Sequence, residues 1–205
     1  MICAVLLAAG RSRRMGVQKL LLPFDGRTVI GHITEEVRRS LVARTVVVVG
    51  QDADRIAGAV AGHRVTVVTN PDLGGDMLSS VRCGLRAMPS DCEAVLVALG
   101  DQPAITADLI DRMVQAYRTA ERGILVPVYG GRRGHPLLFT SRYRDEILTA
   151  YDGIGLRGLL RAHADDVFEF DVPSSSILED MDHPDDHRRA LAKFSRKRDR
   201  PAPPL

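Results

Sequence analysis

Positions 10–19 read Gly10-Arg11-Ser12-Arg13-Arg14-Met15-Gly16-Val17-Gln18-Lys19, a set of residue types suited to one kind of ligand. Glycines present bare backbone N–H groups, Ser12 adds a hydroxyl donor, and Arg11, Arg13, Arg14 and Lys19 carry positive charge, which together make a cradle for a polyphosphate. A second cluster, Gly100-Asp101-Gln102-Pro103, holds an acidic residue between a glycine and a proline. Such a hard oxygen ligand suits Mg²⁺, which needs only one or two carboxylates because phosphates and water complete its octahedron. Each cluster also has a plain reading, a solvated basic turn for the first and a turn-capping aspartate for the second.

The elements behind these clusters favour chemistry. Residues 1–9 form a continuous apolar run, and residues 93–99, apolar after Glu93, form another, as expected of strands buried on both faces. Open α/β sheets bind ligands beyond the carboxyl ends of such strands, so the loop opening at Gly10 and the carboxylate of Asp101 are expected on one rim. The glycine spacing is neither that of a P-loop nor that of a dinucleotide turn. β-Branched runs at 45–50 and 64–69 flank a helical pattern at 52–61, the strand, helix, strand unit of a parallel sheet. Helices are further expected over 28–40, 106–120 and 141–150, and strands at 124–129, 135–139 and 167–172, with an extended stretch at Leu20-Leu21-Leu22-Pro23. The loop Asn70-Pro71-Asp72-Leu73-Gly74-Gly75-Asp76 leads into a helix carrying Ser79 and Ser80, where anion binding and an ordinary strand-to-helix connection are equally good readings.

At 205 residues the chain fits one α/β domain with a full core. A formal net charge of +2 and an aromatic content of 4% argue against nucleic acid or a membrane as partner. No apolar run reaches membrane length, and the apolar amino end lacks the preceding cations of a secretory signal. Cys3, Cys83 and Cys92 are odd in number and lack metal spacing, which reads as core packing in a reducing, cytoplasmic compartment rather than a disulfide framework. Residues 195–205 are basic and proline-rich without apolar periodicity, expected as a disordered tail on a domain spanning 1–194.

The segment Leu7-Ala8-Ala9-Gly10-x-Ser12-x-Arg14-Met15-Gly16-x-x-Lys19 resembles the signature of the MobA/MocA-like nucleotidyltransferases of molybdenum cofactor, within the glycosyltransferase-A-like superfamily. Later motifs extend the match to about Asp186. The resemblance implies a single-domain, three-layer α/β sandwich with a mostly parallel central sheet, Rossmann-like and of the nucleotide-diphospho-sugar-transferase type. It implies catalytic roles for Arg14, Lys19 and Asp101, and nucleotide contacts from Leu7, Ala8, Ala9, Gly10, Ser12, Arg14, Gly16, Lys19, Asn70, Ser79, Ser80 and Asp101. Metal ligation would fall to Asp101 and to Asp182, the middle aspartate of an Asp-x-Asp-x-Pro pattern.

Acceptor binding would fall to Gln102, to Gly134 and His135 of a Gly-His-Pro triplet, and to Asp152 and Arg157 of a Gly-Asp-x-Gly-x-Arg-like stretch. By residue type alone His135 also reads as a structural histidine, and Arg132 and Arg133 as a solvated turn. The family usually has Gly-Met before its serines and a glycine before the second aspartate; here Asp76 separates Gly75 from Met77, and Tyr151 precedes Asp152. The Ala8-Ala9-Gly10 and Asp101-Gln102-Pro103 forms resemble the cytidylyltransferase branch. That branch implies Mg²⁺-dependent transfer of CMP from CTP to molybdopterin, release of pyrophosphate, and a molybdoenzyme as eventual recipient. GTP or another phosphorylated acceptor would keep the chemistry; a cofactor chaperone or insertion factor would have none.

Overall fold

The computed structural model describes residues 1–12 and 14–198, and in it the apolar runs become strands of one sheet. In chain order the strands are β1 (Ile2–Ala8), β2 (Pro23–Phe24), β3 (Arg27–Thr28), β4 (Arg44–Val49), β5 (Thr66–Thr69), β6 (Ala94–Leu99), β7 (Ile124–Tyr129), β8 (Arg132–Arg133), β9 (Leu137–Thr140) and β10 (Val167–Asp171). The helices are α1 (Val29–Arg39), α2 (Ala53–Val60), α3 (Met77–Ala87), α4 (Ala107–Thr119), α5 (Arg144–Thr149), α6 (Leu156–Ala162) and α7 (Pro184–Arg198). The sheet order is β10-β7-β9-β6-β1-β4-β5, with β8 on β7 and a separate ribbon of β2 and β3. β5, β4, β1 and β6 run parallel, as do β7 and β10. β9 is reversed against both β6 and β7, so the returning strand lies inside the sheet.

The period-2 alternation of β1 sorts the core into two layers. Ile2, Ala4, Leu6 and Ala8 join Ile30, Ile33, Ile56, Ile110 and Met113 from α1, α2 and α4. Cys3 and Val5 join Leu78, Val81, Leu85, Ile147 and Leu159 from α3, α5 and α6. Each such aliphatic side chain, fully buried, stabilises the fold by about 1.5–3 kcal/mol, and only a sheet covered on both faces can bury so continuous a run. The expected three-layer, mostly parallel α/β architecture is the one observed. Helix ends also follow local chemistry: the Thr28 and Thr106 hydroxyls cap α1 and α4 by accepting from Gly31 N at 3.1 Å and Leu109 N at 3.3 Å.

Four local features depart from the sequence reading. Lys19–Leu21 forms a 3₁₀ turn rather than an extended stretch, because the Gln18 side chain accepts from Leu20 N and Leu22 N closes on Lys19 O. Helix α6 has no counterpart in that reading, since Gly153, Gly155 and Gly158 obscure its apolar positions Leu156, Leu159 and Leu160. Helix α7 continues to Arg198 through the first residues assigned to the tail, and residues 199–205 lie outside the described residues. Cys3 and Cys92 form a disulfide, with Cα atoms 6.0 Å apart and a sequence separation of 89. Cys92 lies two residues ahead of β6, whose first residue Ala94 pairs with Ile2, so the pairing of β1 with β6 brings the two cysteines to the same end of the sheet. That corrects the reading of three unpaired cysteines; Cys83 alone is free. No helix among the described residues is long and apolar enough to cross a membrane.

Candidate active site

β1 and β6 are neighbours with Leu7 opposite Leu99, while β4 flanks β1 on its other side. The chain therefore leaves the carboxyl end of β1 at a point where strand order reverses, the place where such sheets open a ligand crevice. A cleft of about 510 Å³ lies there, lined by Leu7, Ala9, Gly10, Ser12, Arg14, Lys19, Ser80, Asp101, Asp180 and Asp182 among others. Ala8 points into the core instead. Gly100 makes the rim possible: its N–H donates to Leu7 O at 2.9 Å, and a Cβ there would stand 2.8 Å from that oxygen. Only a residue without a side chain lets the end of β6 pass so close and deliver Asp101 to the cleft.

The basic loop is held from within. Ser12, at φ +49, donates its hydroxyl to Gln18 Oε1 at 2.8 Å and accepts from Lys19 N at 3.1 Å. Gln18 donates in turn to Asp52 Oδ2 at 2.8 Å, and the loop turns through Gly16 at φ +69, away from the cleft wall. Arg11 reaches across to Leu73 O, and Arg13 lies outside the described residues.

These restraints send Lys19 inward, where it is only 8% exposed. Its Nζ lies 2.5 Å from Asp101 Oδ2 and 3.0 Å from Asp182 Oδ1. Arg14 Nη1 holds the other Asp182 oxygen at 2.7 Å. Burial works against the Lys19 charge, yet the Asp101 and Asp182 carboxylates outweigh it and hold its pKa above the usual lysine value. The Lys19 hydrogen bond, with the charges of Lys19 and Arg14, holds the Asp182 carboxyl below the usual range. Asp180 beside them is pushed up, by desolvation first and then by the Asp101 charge.

The donor chemistry fits a divalent cation with hard ligand preferences. One ammonium already sits within contact of both Asp101 and Asp182, so the two carboxylates converge on a single cation position. Among the described residues no group of three or more His, Cys, Asp or Glu side chains is arranged to hold a metal. A divalent ion held there by Asp101 and Asp182 would take its remaining ligands from phosphates and water, as Mg²⁺ commonly does.

The second expected anion contact is already filled by the chain itself. Asn70 is buried, donating to Ser79 Oγ at 2.9 Å and Ser80 Oγ at 3.1 Å, while its Oδ1 accepts from Asp72 N. Asp76 caps α3 by accepting from Ser79 N at 3.0 Å, and Ser79 Oγ donates to Asp76 O at 2.9 Å. Of the two serines, Ser80 lines the cleft and Ser79 does not.

The expected acceptor residues lie further along the sheet and outside the wall of this cleft. His135 precedes β9; its N–H donates to Ile177 O at 3.1 Å, and its Nδ1 is buried without a partner. Burial lowers the His135 pKa, which favours the neutral ring, and Arg157 acts in the same direction. Asp152 is 79% exposed and is held by Arg82 Nη1 at 2.6 Å, with Arg82 also bonded to Ala150 O and Ile147 O. Arg157 is exposed, and Gly134 packs its backbone against Ile177 O.

Gln102 departs most from expectation. It is 1% exposed, and its amide NH₂ is directed inside the protein onto Asp180 and Ile177. Sequence reasoning missed the structural parts played by Gln18, Arg82 and Asp180. Asp180 had a signal in the Asp-x-Asp pattern; Arg82 and Gln18 had none.

Comparison with known proteins agrees with this geometry. Residues 4–167 match the model of the MobA-like NTP transferase domain. The molybdenum cofactor cytidylyltransferase of Escherichia coli K12 is 24% identical over 195 residues, 95% of this chain and 97% of that protein. A nicotine blue oxidoreductase of Paenarthrobacter nicotinovorans is 30% identical over 190 residues, 88% of this chain and 92% of that one. A Mycobacterium tuberculosis protein solved in complex with manganese superposes with a TM-score of 0.76 at 26% identity, covering 93% of this chain and 98% of that one. A family match over most of the chain, on a sheet whose carboxyl edge gathers Arg14, Lys19, Asp101 and Asp182, places this protein in the MobA-like NTP transferase family of nucleotidyltransferases.

Proposed function

We propose that this nucleotidyltransferase transfers CMP from CTP to the phosphate of a molybdopterin-type acceptor, with Mg²⁺ and with release of pyrophosphate. The observation that carries the reading is Lys19 held between Asp101 and Asp182 at the switch-point cleft. The cytidylyltransferase relative and the Ala8-Ala9-Gly10 and Asp101-Gln102 residues support CTP and molybdopterin; the manganese-bound relative supports a divalent ion. Asp101 and Asp182 would hold Mg²⁺, which when bound supplies Lewis acidity at the α-phosphate.

The chain's own groups do the rest. An acceptor phosphate, ionised at neutral pH, attacks the α-phosphorus as the bond to the β-phosphate oxygen breaks. It needs no base, and the neutral His135 ring is left to position rather than to abstract. Lys19 and Arg14 balance the charge that builds on departing pyrophosphate, and the N–H groups around Gly10 orient the chain of phosphates. Both cations are bound to carboxylates beforehand, so an incoming triphosphate must draw them off Asp101 and Asp182. The test is pyrophosphate release from each of the four NTPs with magnesium and molybdopterin. Turnover confined to CTP is expected. Turnover with GTP alone would reassign the base, and release of no pyrophosphate from any NTP would leave a cofactor-binding protein.

A further inference from the structure

Residues 177–182 have to bring Asp182 across to the end of β6, and, besides the ion pairs of Asp182 itself, two backbone bonds and one side chain dock this segment. Met181 N donates to Asp101 O at 3.1 Å, and Ile177 O accepts from His135 N at 3.1 Å. The side chain is that of Gln102, whose Nε2 donates to Asp180 Oδ1 at 2.7 Å and to Ile177 O at 3.3 Å. Gln102 is the residue directly after Asp101. One carboxylate and the clamp that holds the loop of the other therefore ride on the same turn of backbone.

The polar half left over makes Gln102 informative. Its Oε1 is buried without a hydrogen-bond partner. An orphaned acceptor costs folding free energy, and an apolar side chain of similar volume would avoid that cost. A glutamine at so buried a position therefore has to be judged by its donor half, which touches the 177–182 segment at two points.

We propose that Gln102 is a positioning residue for Asp182: its buried amide fastens the 177–182 segment to the end of β6 and so fixes the spacing between the Asp101 and Asp182 carboxylates. The proposal rests on the reading of those two aspartates as the metal carboxylates. It replaces the acceptor contact expected of Gln102 from sequence, and it makes Asp180 the receiving end of the clamp rather than a third ligand. Loss of the clamp lets Asp182 drift from Asp101, which weakens metal binding while leaving the acceptor's own contacts in place.

The experiment measures manganese affinity by electron paramagnetic resonance in the presence of a non-hydrolysable CTP analogue, alongside steady-state kinetics. Gln102→Met keeps the volume and removes the donor; Asp180→Ala removes the acceptor from an exposed position that leaves the core untouched. Each should weaken manganese binding about 10- to 100-fold, the usual effect of losing an outer support of a metal site. The acceptor KM should stay unchanged, and the double variant should lose no more than the worse single one. Asp180→Asn, which keeps an oxygen to accept from Gln102, should retain near-native affinity. An unchanged manganese affinity in Gln102→Met, a raised acceptor KM instead, or an Asp180→Asn variant as weak as Asp180→Ala would each overturn the proposal. Asp101→Asn and Asp182→Asn separate the two levels: if they weaken manganese binding and Gln102→Met does not, the metal reading stands and the clamp falls. If neither aspartate variant changes it, both fall.

Discussion

Two loops leave parallel strands of one sheet, β1 and β5, with β4 between them, and end on the same cleft, yet they meet an anion in opposite states. The loop after β1 carries Arg14 and Lys19 on carboxylates that a triphosphate can relieve of them. The loop after β5 ends at a helix whose amino terminus already has its anion, the Asp76 carboxylate on Ser79 N. The second loop looks like an anion site by its serines and its place before a helix. Its donors are spent all the same. What distinguishes the two is whether the partner presently holding each donor gains anything by letting go: a metal can take over Asp101 and Asp182, whereas nothing takes over Asp76.

Breaking the first loop should have the largest effect. Lys19→Ala should lower kcat/KM for CTP by two to three orders of magnitude, about 3–4 kcal/mol of transition-state stabilisation by analogy with a lost oxyanion donor. Circular dichroism should report an intact fold. Full pyrophosphate release in that variant would erase the contrast between the loops.

Next in size is a coupling. On the proposed function Lys19 and Arg14 leave the carboxylates when triphosphate enters, so CTP and manganese should bind synergistically. The affinity gain should be roughly 5- to 150-fold, the usual range for coupled sites. Calorimetry with and without nucleotide reads it, and equal affinities would mean that the cations never trade partners.

The second loop predicts a smaller, two-signed result. Asp76→Ala should cost about 1 kcal/mol of stability through the lost cap and at the same time tighten CTP binding a few-fold, by freeing Ser79 N–H and removing a negative charge. Asp76→Asn should keep most of the cap. Weaker CTP binding in Asp76→Ala would show that the carboxylate serves the nucleotide rather than opposing it.

The smallest effect is in acid. Asp182 has its pKa depressed in the folded protein by the Lys19 hydrogen bond and charge, so its contribution to stability is present above the ordinary carboxylate pKa and lost as pH falls through the lower folded value. The group is 44% exposed, so solvent keeps the effect small. In Lys19→Met that part of the acid-unfolding curve should flatten; an identical curve would mean that the pair does not couple to folding.

These contrasts explain which parts of the molecule could be read from the chain alone. Buried strands and the loops that succeed them are contiguous, so the Gly10 to Lys19 segment and the Asp101 turn stand out by composition and position. Asp182 could be placed only through the family pattern, because no local rule brings the start of α7 against β6. That Gln102 faces inward was not legible because residue type does not tell which way an amide points. The turn closed by Gln102 N on Leu99 O aims Asp101 into the cleft and leaves the next side chain buried. The Cys3–Cys92 bond was hidden because pairing depends on strand order, which separates neighbours by 89 residues. The Asp76 cap was visible as a departure from the family pattern, but its hydrogen bond to Ser79 N became plain only in three dimensions.

The reversal of β9 has a reach beyond the sheet it completes. Parallel strands deliver only their downstream residues to the carboxyl edge. A strand running the other way delivers its upstream residues there, and with Leu137 paired to Val97 the residue His135 enters near the edge where Asp101 leaves. The sheet thus acts as a two-way street at this border, with traffic from the amino-terminal half departing and traffic from the carboxyl-terminal half arriving. On the proposed function, an antiparallel insertion of four residues would let an acceptor lie beside the nucleotide on a scaffold that would otherwise accommodate one substrate.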